Sequence, residues 1–249
     1  MVKWLRELLD FVAPELCHGC LSESFQNTSY QPFCDDCVRK MKSGHRLSCS
    51  RCGADVGDGN KVSHGCAACR NERFSFSGTW KYGPYDGLIK ELVLKCKLPK
   101  GEVLAEAVGW LMAQELRFCL TPNRPDAIVP IPSHWTKSIF RGHNPSHGMA
   151  LGLARSLKIP CQPSWLRKVR STPSQTSLAP NKRRTMPRDA FRAFIPEPNR
   201  NGIIWLVDDV LTTGTTATVC AEALLGQGAK EVVAIVLARG CLLYTSPSP

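Results

Sequence analysis

Eight of the thirteen cysteines fall into four Cys-x-x-Cys pairs: Cys17/Cys20, Cys34/Cys37, Cys49/Cys52 and Cys66/Cys69. The second pair follows the first by 17 residues, the fourth follows the third by 17, and the whole unit recurs at 32. The spacing is that of a tandem duplication. A Cys-x-x-Cys turn aims two sulfurs at one centre, and a second turn completes a four-thiolate shell around Zn2+. Such a shell leaves no open coordination position, so two structural zinc ions are expected and not a catalytic one. Two pairings satisfy the spacing: neighbouring (17/20 with 34/37, 49/52 with 66/69) or interleaved (first pair with third, second with fourth). Gly19, Gly53 and Gly65 suit the tight turns beside the ligands. His18, His45 and His64 lie nearby, but eight thiolates already fill both shells. Disulfides belong to oxidising compartments, and a redox motif needs one such pair at a strand-to-helix turn, so four pairs in register fit neither. Cys96, Cys119, Cys161, Cys220 and Cys241 show no partner spacing and read as ordinary thiols.

A second constellation lies near the other end. Val207–Thr216 reads VDDVLTTGTT, directly after the apolar run Ile203–Val207 and ahead of a helical stretch. Asp208 and Asp209 can accept hydrogen bonds from a sugar diol, or hold Mg2+ through water. Gly214 lets backbone approach a ligand closely. Thr212, Thr213, Thr215 and Thr216 bring hydroxyls beside the N–H groups of a helix N-terminus, and together these form a nest for one phosphate. The segment lacks the Gly-Lys-Ser/Thr of a P-loop and the three glycines of a dinucleotide fingerprint.

These groups need a scaffold that places them. Ile203–Val207 and Glu231–Ala238 read as buried strands, with Ala217–Leu225 as the helix between them, ended near Gly226 and Gly228. Asp126–Ile131, Trp165–Val169 and Ala190–Ile195 read as shorter strands. Leu88–Cys96, Leu104–Phe118 and His147–Leu157 read as helices, the second presenting Leu104, Val108, Leu111, Met112 and Leu116 on one side. Ser171–Pro187, rich in Ser, Thr, Pro and basic residues, reads as a mobile loop. Alternating strands and helices predict an α/β fold with a parallel sheet and its ligand at the carboxyl ends of the strands. A helix at 3–13 is expected to pack on the metal module. The divisions expected are 1–73 (helix plus metal module), 74–240 (α/β domain) and a disordered tail at 241–249.

At 249 residues and a net charge of +11, the chain is large enough for one sizeable core plus a small module. The charge is concentrated: residues 126–200 hold 13 Lys/Arg and 3 Asp/Glu, whereas residues 1–75 hold 10 and 9. A basic face of this kind attracts nucleotides, pyrophosphate or nucleic acid. Apolar runs stay well under the ~18 residues of a membrane span, and Arg6, Glu7 and Asp10 interrupt the N-terminal apolar residues, so a cytoplasmic protein without a membrane span is expected.

VDDVLTTGTT resembles the phosphoribosyl pyrophosphate (PRPP) motif of type I phosphoribosyltransferases, and with paired zinc ribbons in front the chain resembles the ComF competence-protein family over about residues 14–240. Supporting segments are DAIVPIP (126–132), RGHN (141–144), TPSQTSL (172–178) with Arg183, and Ala190-Phe191. His143 and Pro145 stand where that family has Phe and Gln. The resemblance implies a phosphoribosyltransferase-like sheet with an N-terminal double zinc ribbon. It implies that Asp208 and Asp209 hold the ribose hydroxyls of PRPP and that Thr212, Thr213, Gly214, Thr215 and Thr216 cradle its 5′-phosphate, with Mg2+ accompanying the pyrophosphate. Lys97, Lys137, Arg141, Gln175 and Arg183 become candidates for the pyrophosphate loop and flap. Thr212 stands where 6-oxopurine transferases carry an acidic base, which argues against hypoxanthine or guanine salvage. Two functions follow from the resemblance: transfer of a phosphoribosyl group linked to DNA uptake, or a non-catalytic PRPP-sensing module that binds single-stranded DNA. Partners implied are PRPP, single-stranded DNA and a competence helicase or pore protein.

Overall fold

The computed structural model describes residues 16–22, 32–44, 47–57, 65–120, 124–133, 142–170 and 186–240. The expected 3–13 helix, His45, His64, the candidates Lys137, Arg141, Gln175 and Arg183, and the 241–249 tail lie outside them.

Four parallel strands form the central sheet, in the order β1 (Gly78–Pro84), β6 (Glu231–Arg239), β5 (Ile203–Leu211), β2 (Ala127–Pro130). Parallel strands need a crossover between them. Helix α4 (Pro145–Leu157) lies between β2 and β5 in sequence, and helix α5 (Thr215–Leu225) joins β5 to β6. A separate antiparallel ribbon pairs β3 (Leu166–Lys168) with β4 (Phe191–Ala193). Helices α1 (Asp35–Ser43), α2 (Gly87–Cys96) and α3 (Glu102–Leu116) complete the order.

Period-two alternation divides β2, β5 and β6 between two cores. Ile128, Trp205, Val207, Ile235 and Leu237 point to the side filled by Leu92, Leu111, Met112 and Leu153 from α2, α3 and α4. Val129, Ile204, Leu206, Ala234 and Val236 point to the side filled by Cys220 and Leu224 of α5 and by Leu166 and Phe191 of the ribbon. Covered on both faces, these strands are continuous apolar runs. Helices α3 and α4 cross so closely that a Cβ on Gly152 would stand 2.0 Å from the Glu106 carbonyl oxygen.

Local chemistry fixes the helix ends. Asn144 caps α4 by accepting from Ser146 N–H at 3.3 Å, and Pro145 occupies the first turn, where a missing N–H is harmless. Cys34 caps α1, with Asp35 and Asp36 in its first turn and Lys40 and Lys42 in its last, matching the helix dipole.

The structure differs from the sequence expectation in several places. β5 runs on through Asp208, Asp209 and Val210 to Leu211, so the acid pair belongs to the strand and does not follow it. Ladder pairs Asp208↔Val236 and Leu211↔Arg239 hold that extension in register. The ribbon strands are shorter than expected, with 3-10 turns taking up Trp165 and Ala190. Strand β1 and helix α1 were not anticipated. Among the described residues, no helix is long and apolar enough to cross a membrane.

Candidate functional site

At its carboxyl end β5 delivers two adjacent carboxylates. Asp208 Oδ1 accepts from Ser146 Oγ at 2.9 Å and from the Asp209 N–H at 2.9 Å. Asp209 Oδ1 accepts from Val210 N–H at 2.7 Å, while its Oδ2 lies 2.6 Å from Lys97 Nζ. Burial, together with the charge of Asp209, pushes the Asp208 carboxyl up to about 7. Burial works against the Lys97 ammonium as well, but the charge and hydrogen bond of Asp209 outweigh it and raise its pKa above the ordinary lysine value. The site thus sets Asp209 against Lys97 and places beside them a carboxyl whose hold on its proton is strengthened by burial.

Beyond Leu211 the chain turns through Thr212, Thr213 and Gly214 into α5. Gly214 is left-handed, with φ +80°, and caps the helix. Thr213 and Thr215 hydroxyls lie 2.8 Å apart, and the Thr215 N–H donates to Thr213 Oγ1 at 3.3 Å. Thr212, Thr213, Thr215 and Thr216 are all half-buried. First-turn amides of a helix lack intrahelical acceptors, and here they lie beside a cluster of hydroxyls, a combination suited to a phosphate.

Two further groups hold this turn from behind. The Phe74 ring, stacked on Phe76 at 4.8 Å, packs against Gly214, where a Cβ would come within 2.8 Å of Phe74 Cε1. Arg239, buried at the end of β6, donates from Nη1 to the carbonyls of Leu211 (2.8 Å), Thr212 and Gly240 (2.7 Å). On the other flank, Ile131 N–H donates to the Val207 carbonyl at 2.9 Å and Asn144 Nδ2 to the Ile131 carbonyl at 2.9 Å, which places the start of the loop after β2 beside the acids.

The cysteines gather as Cys17/Cys20/Cys34/Cys37 and Cys49/Cys52/Cys66/Cys69, the ligand atoms of each group all within 4.8 Å of one another. The neighbouring pairing is therefore the one formed. Sulfurs of Cys20 and Cys34 are 3.7 Å apart, those of Cys49 and Cys69 3.8 Å, and those of Cys52 and Cys66 3.6 Å. Bonds of about 2.3 Å in a tetrahedron place sulfurs about 3.8 Å apart. These gaps fit a four-thiolate Zn2+ shell and are far too long for disulfides. Backbone N–H groups of Gly19 and Cys34 point at Cys17 Sγ (3.4 and 3.2 Å), as thiolate ligands favour. His18 is not among either group of ligands.

Of the site residues expected from sequence, the structure brings Lys97, Asp208, Asp209 and the Thr212–Thr216 turn to one end of the sheet. Sequence reasoning missed Ser146, Phe74 and Arg239. Ser146 carried a signal: it stands two residues after a good N-cap, Asn144, so helix α4 starts earlier than its apolar pattern. Arg239 carried none, because its partners are carbonyls of distant segments.

No family model matches the chain. DNA utilization protein YhgH of Salmonella typhi is 28% identical over 214 residues, covering 85% of this chain and 92% of that protein. Competence protein F of Haemophilus influenzae is 26% identical over 212 residues, covering 83% and 90%. Among solved structures, a glutamine PRPP amidotransferase from B. subtilis matches 55% of this chain and 26% of its own length, at 22% identity and a TM-score of 0.37. A purine phosphoribosyltransferase from Pyrococcus horikoshii matches 61% of this chain and 81% of its own, at 21% identity and a TM-score of 0.31.

Proposed function

We propose, from the likeness to competence protein F and the DNA utilization proteins along most of the chain, that the protein binds PRPP and transfers its phosphoribosyl group to an acceptor nucleophile. One observation carries the reading: a half-buried acid pair at the carboxyl end of β5 leads directly into a threonine-rich, left-handed turn at the start of α5. Asp208 and Asp209 accept hydrogen bonds from the ribose hydroxyls. The Thr212–Thr216 hydroxyls and amides hold the 5′-phosphate. Lys97, already at Asp209, provides positive charge for the pyrophosphate.

In the transfer the bond from the anomeric carbon to pyrophosphate breaks with its electron pair, and a bond from the acceptor to that carbon forms. Fixed donors around the departing pyrophosphate lower the barrier because they need no reorganisation as charge develops. The carboxylates Asp208 and Asp209 are a donor set that would suit Mg2+, and the ion would supply positive charge against the pyrophosphate. The two four-cysteine groups would hold structural Zn2+.

The test is calorimetric titration of PRPP with and without Mg2+, paired with an assay for pyrophosphate release across a panel of acceptors. Asp208→Asn/Asp209→Asn is expected to abolish PRPP binding, and unchanged affinity would refute the assignment of the site.

A second reading, a PRPP-sensing module that binds single-stranded DNA, has its own observation. On the ribbon, Arg167 is the register partner of Arg192. Both are exposed, and so are Val169 and Phe194, each the residue directly after the end of its strand. Like charges opposite one another weaken a strand pair but suit a phosphate backbone, and an exposed phenyl ring offers a stacking surface for a base. Arg192→Ala/Phe194→Ala is expected to weaken single-stranded DNA binding about tenfold or more, with a steep loss of wild-type affinity between 50 and 200 mM salt. Salt-independent binding, or none, would count against it.

A further inference from the structure

We propose that Arg239 and Phe74 are positioning residues that couple the second four-cysteine centre, Cys49/Cys52/Cys66/Cys69, to the phosphate turn, so that the turn's order and its hold on a phosphorylated ligand depend on metal at that centre. The ligand half of this inference rests on the reading of the turn given above.

Two struts run between the same two ends. In the first, Arg239 is the register partner of Leu211, and its Nε donates to the carbonyl of Cys52 at 2.8 Å while Nη1 donates to Leu211, Thr212 and Gly240. Cys52 belongs to the metal shell, and Leu211 and Thr212 begin the turn. A guanidinium is planar and stiff, so this one group sets the separation of metal ligand and turn. In the second strut, Arg51, between ligands Cys49 and Cys52, donates to the carbonyls of Cys69 (3.0 Å) and Glu72 (2.5 Å) and lies over the Phe74 ring at 5.6 Å. That ring is the surface against which left-handed Gly214 packs.

Loss of the metal frees Cys52 and Cys69 from a fixed tetrahedron, and both struts lose their anchor together. The first centre is built into the molecule differently, through Lys95 Nζ to the Gly19 carbonyl at 3.3 Å on α2. Linkage is reciprocal: a turn stabilised by metal must, when occupied, hold the metal more tightly.

The experiment uses the full zinc-loaded chain, with Arg239→Lys and Phe74→Leu as conservative variants. Arg239→Lys keeps the charge and loses the fork; Phe74→Leu keeps apolar volume and loses the flat face. Amide hydrogen exchange across residues 212–216 is expected to be about tenfold faster in each variant than in the wild type, with two zinc ions retained per chain. Saturating PRPP is expected to slow chelator-driven loss of one of the two zinc ions about fivefold in the wild type and not in Arg239→Lys. Exchange across 212–216 within about twofold of wild type in both variants would overturn the coupling. If wild-type chain fails to bind PRPP, the ligand reading falls, while exchange across 212–216 in wild type before and after chelation of zinc, which uses no ligand, still decides the coupling: faster exchange after chelation is expected, and unchanged exchange would overturn it.

Discussion

Asp208 and Asp209 stand next to one another at a strand end, with Lys97 against Asp209 and Ser146 against Asp208. Burial first, and then the neighbouring charge, lift Asp208 to about 7. The sign of its effect on folding follows. An unfolded aspartate ionises near 3.9, so between about pH 4 and pH 7 the folded chain retains a proton that the unfolded chain has lost. Stability contributed by this group therefore falls as pH rises through that window and stays lower above it. Asp208→Asn removes the effect while keeping an oxygen to accept from Ser146. The melting temperature at pH 8, read by scanning calorimetry, is expected to rise by about 2–5 °C as PRPP affinity is lost. A lower melting temperature would show that the ionised carboxylate stabilises the fold. For the wild type, Mg2+-dependent PRPP affinity is expected to climb from pH 6 to pH 8 as Asp208 ionises, and a flat profile in titration calorimetry would contradict its role. The acid pair and the threonines were legible in sequence because they are consecutive. Ser146 showed only through the Asn144 cap before it, since its partner Asp208 lies 62 positions on. Arg239 did not show, because its bonds to Cys52, Leu211 and Thr212 reach 187, 28 and 27 positions away.

Strands β2, β5 and β6 were readable because both faces of each are covered, leaving uninterrupted apolar runs. Strand β1 (GTWKYGP) was not: it lies at the sheet edge and most of its residues are only half-buried, so neither a run nor a clean alternation appears. Helix α1 escaped because its buried residues are only Cys37, Val38 and Met41, and a metal ligand caps it. The α3–α4 crossing gave no sequence warning either, since Gly109 and Gly152 read as weak points in helices until each is seen against the other helix's backbone. Gly152→Ala is expected to destabilise the chain by about 1–3 kcal/mol, measured as a lower urea midpoint at unchanged slope. Tolerance of the methyl group would mean the helices can separate freely. Gly214→Ala combines a left-handed backbone with a clash against Phe74. It is expected to weaken PRPP binding more than it lowers the melting temperature, the reverse of Gly152→Ala.

Across the whole molecule the metal module and the α/β sheet share packing. Cys17, Phe33, Cys37, Val38 and Met41 lie in one apolar cluster with Leu92, Leu111 and Tyr82, and Lys42 reaches Glu115 of α3 at 2.6 Å. Stripping both centres with a strong chelator is expected to lower the melting temperature of the entire chain in a single transition. A sheet that kept its original transition would show that its core stands without metal. The two centres and the sheet were each legible in sequence, the first from cysteine spacing and the second from apolar runs. Their joining was not, because it depends on Phe33, Met41 and Arg239, residues whose types announce nothing about what they touch.

The outer edge of β1 has a further consequence. Thr79 N–H donates to the Ser50 carbonyl at 2.7 Å, Thr79 Oγ1 to the Arg51 carbonyl at 3.1 Å, and Lys81 meets Asp55, all in or just after the Cys49/Cys52 turn. That turn shields a strand border that would otherwise offer its hydrogen-bonding groups to another molecule. Prolonged zinc starvation should therefore leave chains able to join border to border, and the first sign would be growth in particle size by light scattering ahead of any loss of helix.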